Sequence, residues 1–279
     1  MDIQIIADGL SFPEGPFWSE RDGCWYLVEW TGDRLLRLRP QGAVEAVFSF
    51  RAGSGPSGLA QDTAGNFWVC LYSSLKLAHV GPAGQVLQVF DNYAGRPFKG
   101  PSDLALDSAG GVYFTDGGNF TDDWETGRPA GTVYHLDPGG QLSHVDRQIC
   151  YANGIGLSPD GRSLYVNEHR RNRTLRYSLS PEGRFAGREV WHTFDAECLL
   201  PPEQAFELGP DGMGVDADGL VWVAHYGGGK VVGLGPGGDV RHTVRLPRGR
   251  KPSNVKHHPR ENALLVTEAE LGLVYRVAF

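Results

Sequence analysis

The sequence predicts an all-β fold: a six-bladed β-propeller of four-stranded antiparallel blades, with an N-terminal strand completing the last blade. Three observations predict it. One pattern recurs six times along the 279 residues. Two successive steps between copies, 43 residues from Glu14 to Ser57 and 45 from Ser57 to Ser102, match the length of a four-stranded blade. No segment sustains a helical period, which argues against a parallel α/β fold. The 39 glycines and 18 prolines exceed ordinary usage and agree with many tight turns.

The copies begin at Phe12, Gly55, Gly100, Tyr151, Gly209 and Lys251. Each has a polar residue at its third position: Glu14, Ser57, Ser102, Asn153, Asp211 and Ser253. Usually Pro precedes it and Gly follows. Five residues on stands Ser19, Asp62, Asp107, Ser158, Asp216 or His258, opening a turn that generally carries Gly. An apolar or aromatic pair comes next, from Trp25-Tyr26 in the first copy to Leu264-Leu265 in the last. Each copy therefore reads as a short apolar strand, a turn, and an aromatic-rich strand. A third strand follows at 34–39, 132–137, 174–179, 230–234 and 274–278, before turns such as Pro40-Gln-Gly and Asp137-Pro-Gly-Gly. The last copy ends with only three strands. The segment Asp2–Ala7, strand-like and preceding the first copy, is expected to supply the fourth and close the ring. One domain spanning 1–279 is expected.

Charge and cysteine usage exclude several classes. Asp and Glu number 33 against 26 Lys and Arg, a formal charge of −7. Such a chain is a poor nucleic-acid binder and has no electrostatic reason to seek an anionic membrane. No apolar run approaches the ~20 residues of a membrane span. MDIQIIADGL lacks a basic secretory n-region, so a cytoplasmic protein is expected. Cys24, Cys70, Cys150 and Cys198 are widely spaced with no C-x-x-C pair, which suits a reducing compartment and small buried side chains.

A propeller turns one position per blade into a ring about the channel. If the first strand of each copy is innermost, the six polar positions converge at one channel mouth. Two carboxylates near one axis repel, and a bound cation resolves the repulsion. Glu14, Asn153 and Asp211 offer oxygen alone, which favours Ca2+ over Zn2+ and leaves Mg2+, Mn2+ and Zn2+ as the alternatives. So few protein ligands leave positions open for water and substrate. A water-filled polar channel would use the same residues.

The motifs Phe12-Pro-Glu-Gly-Pro, Pro101-Ser-Asp-Leu-Ala-Leu-Asp, Tyr113-Phe-Thr-Asp, Asn153-Gly-Ile-Gly-Leu-Ser-Pro-Asp-Gly, Asp211-Gly-Met-Gly-Val-Asp and Pro252-Ser-Asn-Val occur in this order. Together they resemble the senescence marker protein (regucalcin)/gluconolactonase/lactonase family over essentially the whole chain. The resemblance implies a six-bladed propeller with one divalent cation, often Ca2+, held by Glu14, Asn153 and Asp211. It implies that Asp211 doubles as general base or as the group that positions the attacking water, with Asp103 assisting. It further implies a metal-dependent hydrolase opening a sugar lactone or related cyclic ester. Ser102 stands where the family commonly has Asn, and Gly100 where the sugar-lactone enzymes have a substrate-holding Arg.

The substrate pocket is expected at the same mouth. Ser102, Trp30, Asp116, Glu168, His225 and Trp124 are its candidate contacts: Trp30, Asp116, Glu168 and His225 follow the second strand of their copies, and Trp124 lies in an insertion at 117–130. A second insertion, 191–208, carries Phe194, Cys198 and Phe206 and could add aromatic walls. His225 is attractive as an acid or base because imidazole titrates near neutrality. The expected partner is a small lactone or ester, with the protein a monomer or weak homo-oligomer. Alternatives are a phosphotriesterase-like or biosynthetic enzyme on the same scaffold, or a non-catalytic ligand-binding propeller. Gly53-Ser-Gly-Pro-Ser-Gly matches a dinucleotide fingerprint by letter, but its Pro and its strand context exclude that use.

Overall fold

The turn chemistry of the repeat sets the local structure. In the second copy Asp62 accepts from the Asn66 amide at 2.8 Å, and Gly65 donates back to the Asp62 carbonyl at 3.0 Å. Asp107 and Asp216 do the same with Gly111 and Leu220, at 2.8 and 2.9 Å. Each carboxylate thus satisfies the turn that links the first two strands of its blade.

In the computed structural model, which describes residues 1–39, 42–118, 129–180, 183 and 185–279, six four-stranded antiparallel sheets follow one another along the chain. Their first strands are Pro13–Ser19, Pro56–Gln61, Pro101–Leu106, Ala152–Leu157, Gly209–Val215 and Pro252–His257. Each of these packs on the first strands of both neighbouring blades, and the ring closes between the sixth blade and the first. The chain is a six-bladed propeller. Asp2–Ala7 pairs with Leu273–Ala278 as the outer strand of the sixth blade, in register from Asp2 opposite Ala278. The expected third strands lie within a residue or so of the observed ones. A two-stranded hairpin, Asn92–Tyr93 with Arg96–Pro97, was not legible; it precedes Phe98, which is buried between the second and third blades.

The core lies in the seams. Six hydrophobic clusters each join two adjacent blades, such as Tyr26, Val28 and Leu35 against Leu59, Phe67 and Val69. Every blade is therefore buried on both faces, which is why its second strand reads as an unbroken apolar run, such as Phe67–Leu71.

Two features aim side chains at the axis. In all six blades the pairing of first and second strands slips next to the ring position, between Glu14 and Phe17 in the first blade and Pro210 and Met213 in the fifth. A bulge there turns the polar side chain out of the ladder and into the channel. The glycine after the ring position is a packing requirement. A Cβ on Gly58 would lie 2.7 Å from Asp103 Cα in the next blade, and one on Gly154 would overlap the Asp211 carbonyl.

Gly154→Ala is expected to destabilise the protein by about 1–3 kcal/mol, because strands meet there with no side chain to give way. Thermal unfolding checks this; a transition temperature equal to that of the parent would show that the seam is looser than described.

Candidate active site

The channel mouth opens into a cavity of about 290 Å³. Its floor is made by first strands: Glu14, Ser57, Ser102, Asp103, Asn153, Asp211 and Asn254 line it. Five of the six ring positions thus reach the cavity. Ser253 does not; its hydroxyl donates across the seam to the Pro13 carbonyl at 2.7 Å. Ser57 makes a like bridge to the Ser102 carbonyl, 2.7 Å, while keeping an edge on the cavity. Asp103 and Asn254 take the place that is glycine in the other four blades, which is why these two blades add a second polar side chain.

The polar groups of the floor are linked. Asn153 Nδ2 donates to Asp211 Oδ1, and Ser102 Oγ donates to Asn153 Oδ1 at 3.1 Å. Asn254 Nδ2 donates to Glu14 Oε2 at 3.2 Å, beside the Gly15 amide at 3.0 Å. Thr115 and Asn167 hold the backbone beneath, donating to the Asn153 and Asp211 carbonyls at 2.7 and 2.6 Å. Asp103 Oδ1 accepts from the Leu104 amide at 2.9 Å, but its buried Oδ2 has no hydrogen-bond partner among the described residues.

Burial raises the proton affinity of all three carboxylates, and neighbouring carboxylate charge adds to it at Glu14 and Asp211. Burial pushes Glu14 up from 4.5 to about 8, and the charge of Asp103 adds to the effect. Burial, then Glu14 and Asp103, hold Asp211 well above the usual carboxylate range. Asp103 is also raised by burial, with the Lys256 ammonium partly offsetting it.

The donor set suits a hard divalent cation. Among the described residues no group of three or more His, Cys, Asp or Glu side chains is placed to hold a metal ion. The oxygens that could serve one are those of the Glu14 and Asp211 carboxylates and the neutral Asn153 amide, an open set. The spare lone pairs of Asp103 Oδ2 and the excess negative charge are what such an ion would satisfy. The histidine in the cavity wall, His169, directs Nε2 at the Glu207 carbonyl, 2.9 Å, and Nδ1 at that of Pro210, 3.2 Å.

The expected substrate contacts divide. Trp30 and Ser102 line the cavity. Trp124 falls in 119–128, outside the described residues. Asp116, Glu168 and His225 do not line it. They face Pro101, Ala152 and Pro210 across the ladder, as Glu29 faces Pro13, so they match Glu29 and not Trp30. A one-residue slip on a strand reverses the side chain. At this position the carboxylates clasp the chain entering the blade: Glu29, Asp116, Glu168 and Glu268 accept from the amides of Ser11, Lys99, Cys150 and Lys251 at 2.9–3.0 Å. His225 donates through Nε2 to Asn172 Oδ1, 2.7 Å, and stacks on Phe194. Burial, then the Lys230 charge, lower its pKa to about 3, so it is neutral and unsuited to acid catalysis at neutral pH.

The residues that do match Trp30 are Tyr72, His169 and Tyr226, and all three line the cavity. Phe12 and Tyr151, two residues before the ring position of their blades, complete the wall. Within the second insertion Phe194 is buried against the fifth blade and Phe206 lies under Arg170, so Glu207 is the residue this segment adds.

With divalent ions chelated, the raised carboxyls predict a definite pH dependence. The folded state binds more protons than the unfolded state between pH about 4.5 and about 8, the range through which Glu14 is shifted. Stability therefore falls as pH rises through that window. Added Ca2+ should restore it most at the alkaline end, and Glu14→Gln should flatten the dependence. Calorimetric unfolding at pH 5.5 and 8.5 reads this; an identical slope in parent and variant would contradict it.

Comparison with known proteins agrees with the geometry. The model of the SMP-30/gluconolactonase/LRE-like region matches residues 12–270. A gluconolactonase of Zymomonas mobilis is 30% identical over 81% of this chain and 68% of its own length. Lactonase drp35 of Staphylococcus epidermidis is 34% identical over 83% of this chain and 66% of its own. Among solved structures, a gluconolactonase from Xanthomonas campestris superposes with a TM-score of 0.82 at 22% identity, covering 98% of this chain and 88% of that one. The calcium-binding protein regucalcin from Agrobacterium tumefaciens gives 0.76 at 19%, covering 98% and 92%. At these identities the structural likeness establishes the fold. The extent of the family match, on a propeller with this channel mouth, establishes that the chain belongs to the SMP-30/gluconolactonase/LRE-like family.

Proposed function

We propose that this chain is a lactone hydrolase working with one divalent cation, Ca2+ above others, held by Glu14, Asn153 and Asp211. The observation that carries the reading is the convergence of these three side chains with Asp103 on the floor of one cavity. Membership of a family whose relatives include a gluconolactonase and a lactonase supports the opening of a cyclic ester as the reaction.

When bound, the cation supplies a Lewis acid that polarises the lactone carbonyl and stabilises the charge developing on its oxygen. The chain's own residues handle the proton. Asp211 accepts it from the attacking water, and Asp103, with an oxygen to spare, is the second acceptor behind it. Burial raises the proton affinity of both in the metal-free site, and the form that accepts the proton is the ionised one, which a neighbouring cation favours. The water oxygen bonds to the carbonyl carbon, the ring C–O bond breaks, and the stored proton passes to the departing ring oxygen. The product is the open hydroxy acid. Ser102 fixes the Asn153 amide, and the aromatic walls limit bulk water around the reacting atoms.

Asp211→Asn is expected to lower kcat on a lactone panel by about 10²–10⁴ while the circular dichroism of the propeller persists. Undiminished turnover would remove Asp211 from the mechanism. Chelation should abolish activity and Ca2+ should restore it, with about one ion per chain in elemental analysis; full activity in metal-free protein would overturn the role of the cation.

A further inference from the structure

Six rings form an aromatic collar along much of the cavity wall. Phe12 meets Trp30 edge-on at 4.7 Å between centroids, Trp30 meets Tyr72 at 5.9 Å, and Tyr72 meets Tyr151 at 6.5 Å. Tyr151 then meets His169 at 5.7 Å, and His169 meets Tyr226 at 6.1 Å. The collar comes from two repeated positions joined by backbone hydrogen bonds, as from Trp30 to Phe12 and from His169 to Tyr151. Among the described residues the sixth blade contributes no ring, and neither does the third. Its residue there is Gly100, where a Cβ would lie 2.7 Å from Tyr72 Cε2, so the absence of a side chain is what lets Tyr72 lean across.

Two members are held at a steric cost. Phe12 and Tyr151 have φ of +56° and +58°, in the left-handed region. The second and third blades place Gly55 and Gly100 at this position, also with positive φ. A large aromatic residue gains nothing from that backbone, so its side chain must repay the strain. Both rings are half-buried and line the cavity.

Charge and hydrogen bonding narrow the ligand. No Arg or Lys among the described residues lines the cavity, whereas Glu14, Asp103, Asp211 and Glu207 do. Lys251, near the rim, is paired with Glu207 at 2.7 Å. The hydroxyl and amide donors of the floor are committed to one another, and Tyr151 OH donates to Tyr72 OH at 3.1 Å. The hydroxyls of a polyol could donate only to carboxylates that a bound cation already draws on and would find few free donors for their own oxygens, while an anionic substrate would meet like charge.

Resting on the hydrolase reading above, we propose that the collar selects an uncharged lactone carrying a compact apolar or aromatic substituent, in preference to a polyhydroxylated or anionic one. The substituent sits against Phe12, Trp30, Tyr72 and Tyr151, with the ester turned to the floor.

The test compares Ca2+-loaded protein on phenyl-substituted δ-valerolactone, its aryl-sulfonated form and δ-gluconolactone. Calorimetry with the matching phenyl δ-lactam, which is not hydrolysed, measures binding without turnover. The expected result is kcat/KM for the phenyl lactone about tenfold or more above both others. Phe12→Gly, which relieves the strained backbone, should leave the unfolding temperature unchanged or higher while raising KM for the phenyl lactone and weakening lactam binding about tenfold. Tyr72→Leu should weaken lactam binding in the same direction. Equal or better turnover of δ-gluconolactone or the sulfonated lactone, or lactam binding indifferent to both substitutions, would overturn the inference and leave lactone hydrolysis standing. Ring-dependent lactam binding with no turnover of any lactone would instead overturn the hydrolase reading and support the collar's preference.

Discussion

Three acidic side chains share the floor of one small cavity, and their mutual repulsion is the constraint around which the rest is arranged. Glu14, Asp103 and Asp211 come from the first, third and fifth blades, so no local interaction brings them together. A bulge at the same point of every blade turns these side chains inward, and tight strand contact at Gly58 and Gly154 keeps the blades too close for them to withdraw. The seams that enforce this are apolar cores on both faces of each sheet, whose burial sustains an electrostatically unfavourable centre. Natural structures tolerate such conflict where it serves a site.

Floor and rim divide the work. The floor gathers charge and committed hydrogen bonds, and the wall above it is, among the described residues, mostly aromatic with Glu207 beside the rings. A polar end of a ligand and an apolar body are therefore handled by different layers of the same blades. Both layers derive from fixed positions of one repeat, so reactivity and selectivity can vary independently by substitution at the channel mouth.

The ring was legible because it rests on period alone. A polar residue at the third position of six copies must face a common axis once the copies close, and Glu14, Asn153 and Asp211 do so. The wall was read one residue early in three blades. Asp116, Glu168 and His225 looked like partners of Trp30, yet they end their strands still inside the ladder, where the alternation points them at the incoming chain. Sequence shows a strand's composition more clearly than its last residue, and with a period of two that residue decides the face. Tyr72, His169 and Tyr226 carried the right signal, the aromatic just after each of these positions. Phe12 and Tyr151 were visible too, as bulky residues where two other copies have glycine. The insertion at 191–208 was harder, because no repeat constrains it; its aromatics went to the core and the outer surface, and Glu207 reached the cavity.

A crystal structure from protein grown with Mn2+ in place of Ca2+, with an anomalous difference map at the cavity floor, tests the central claim most directly. The account predicts one peak touching carboxylate oxygens of Glu14 and Asp211 and the amide oxygen of Asn153. Glu14 and Asp211 turned apart, with only ordinary water between them at saturating metal, would contradict it.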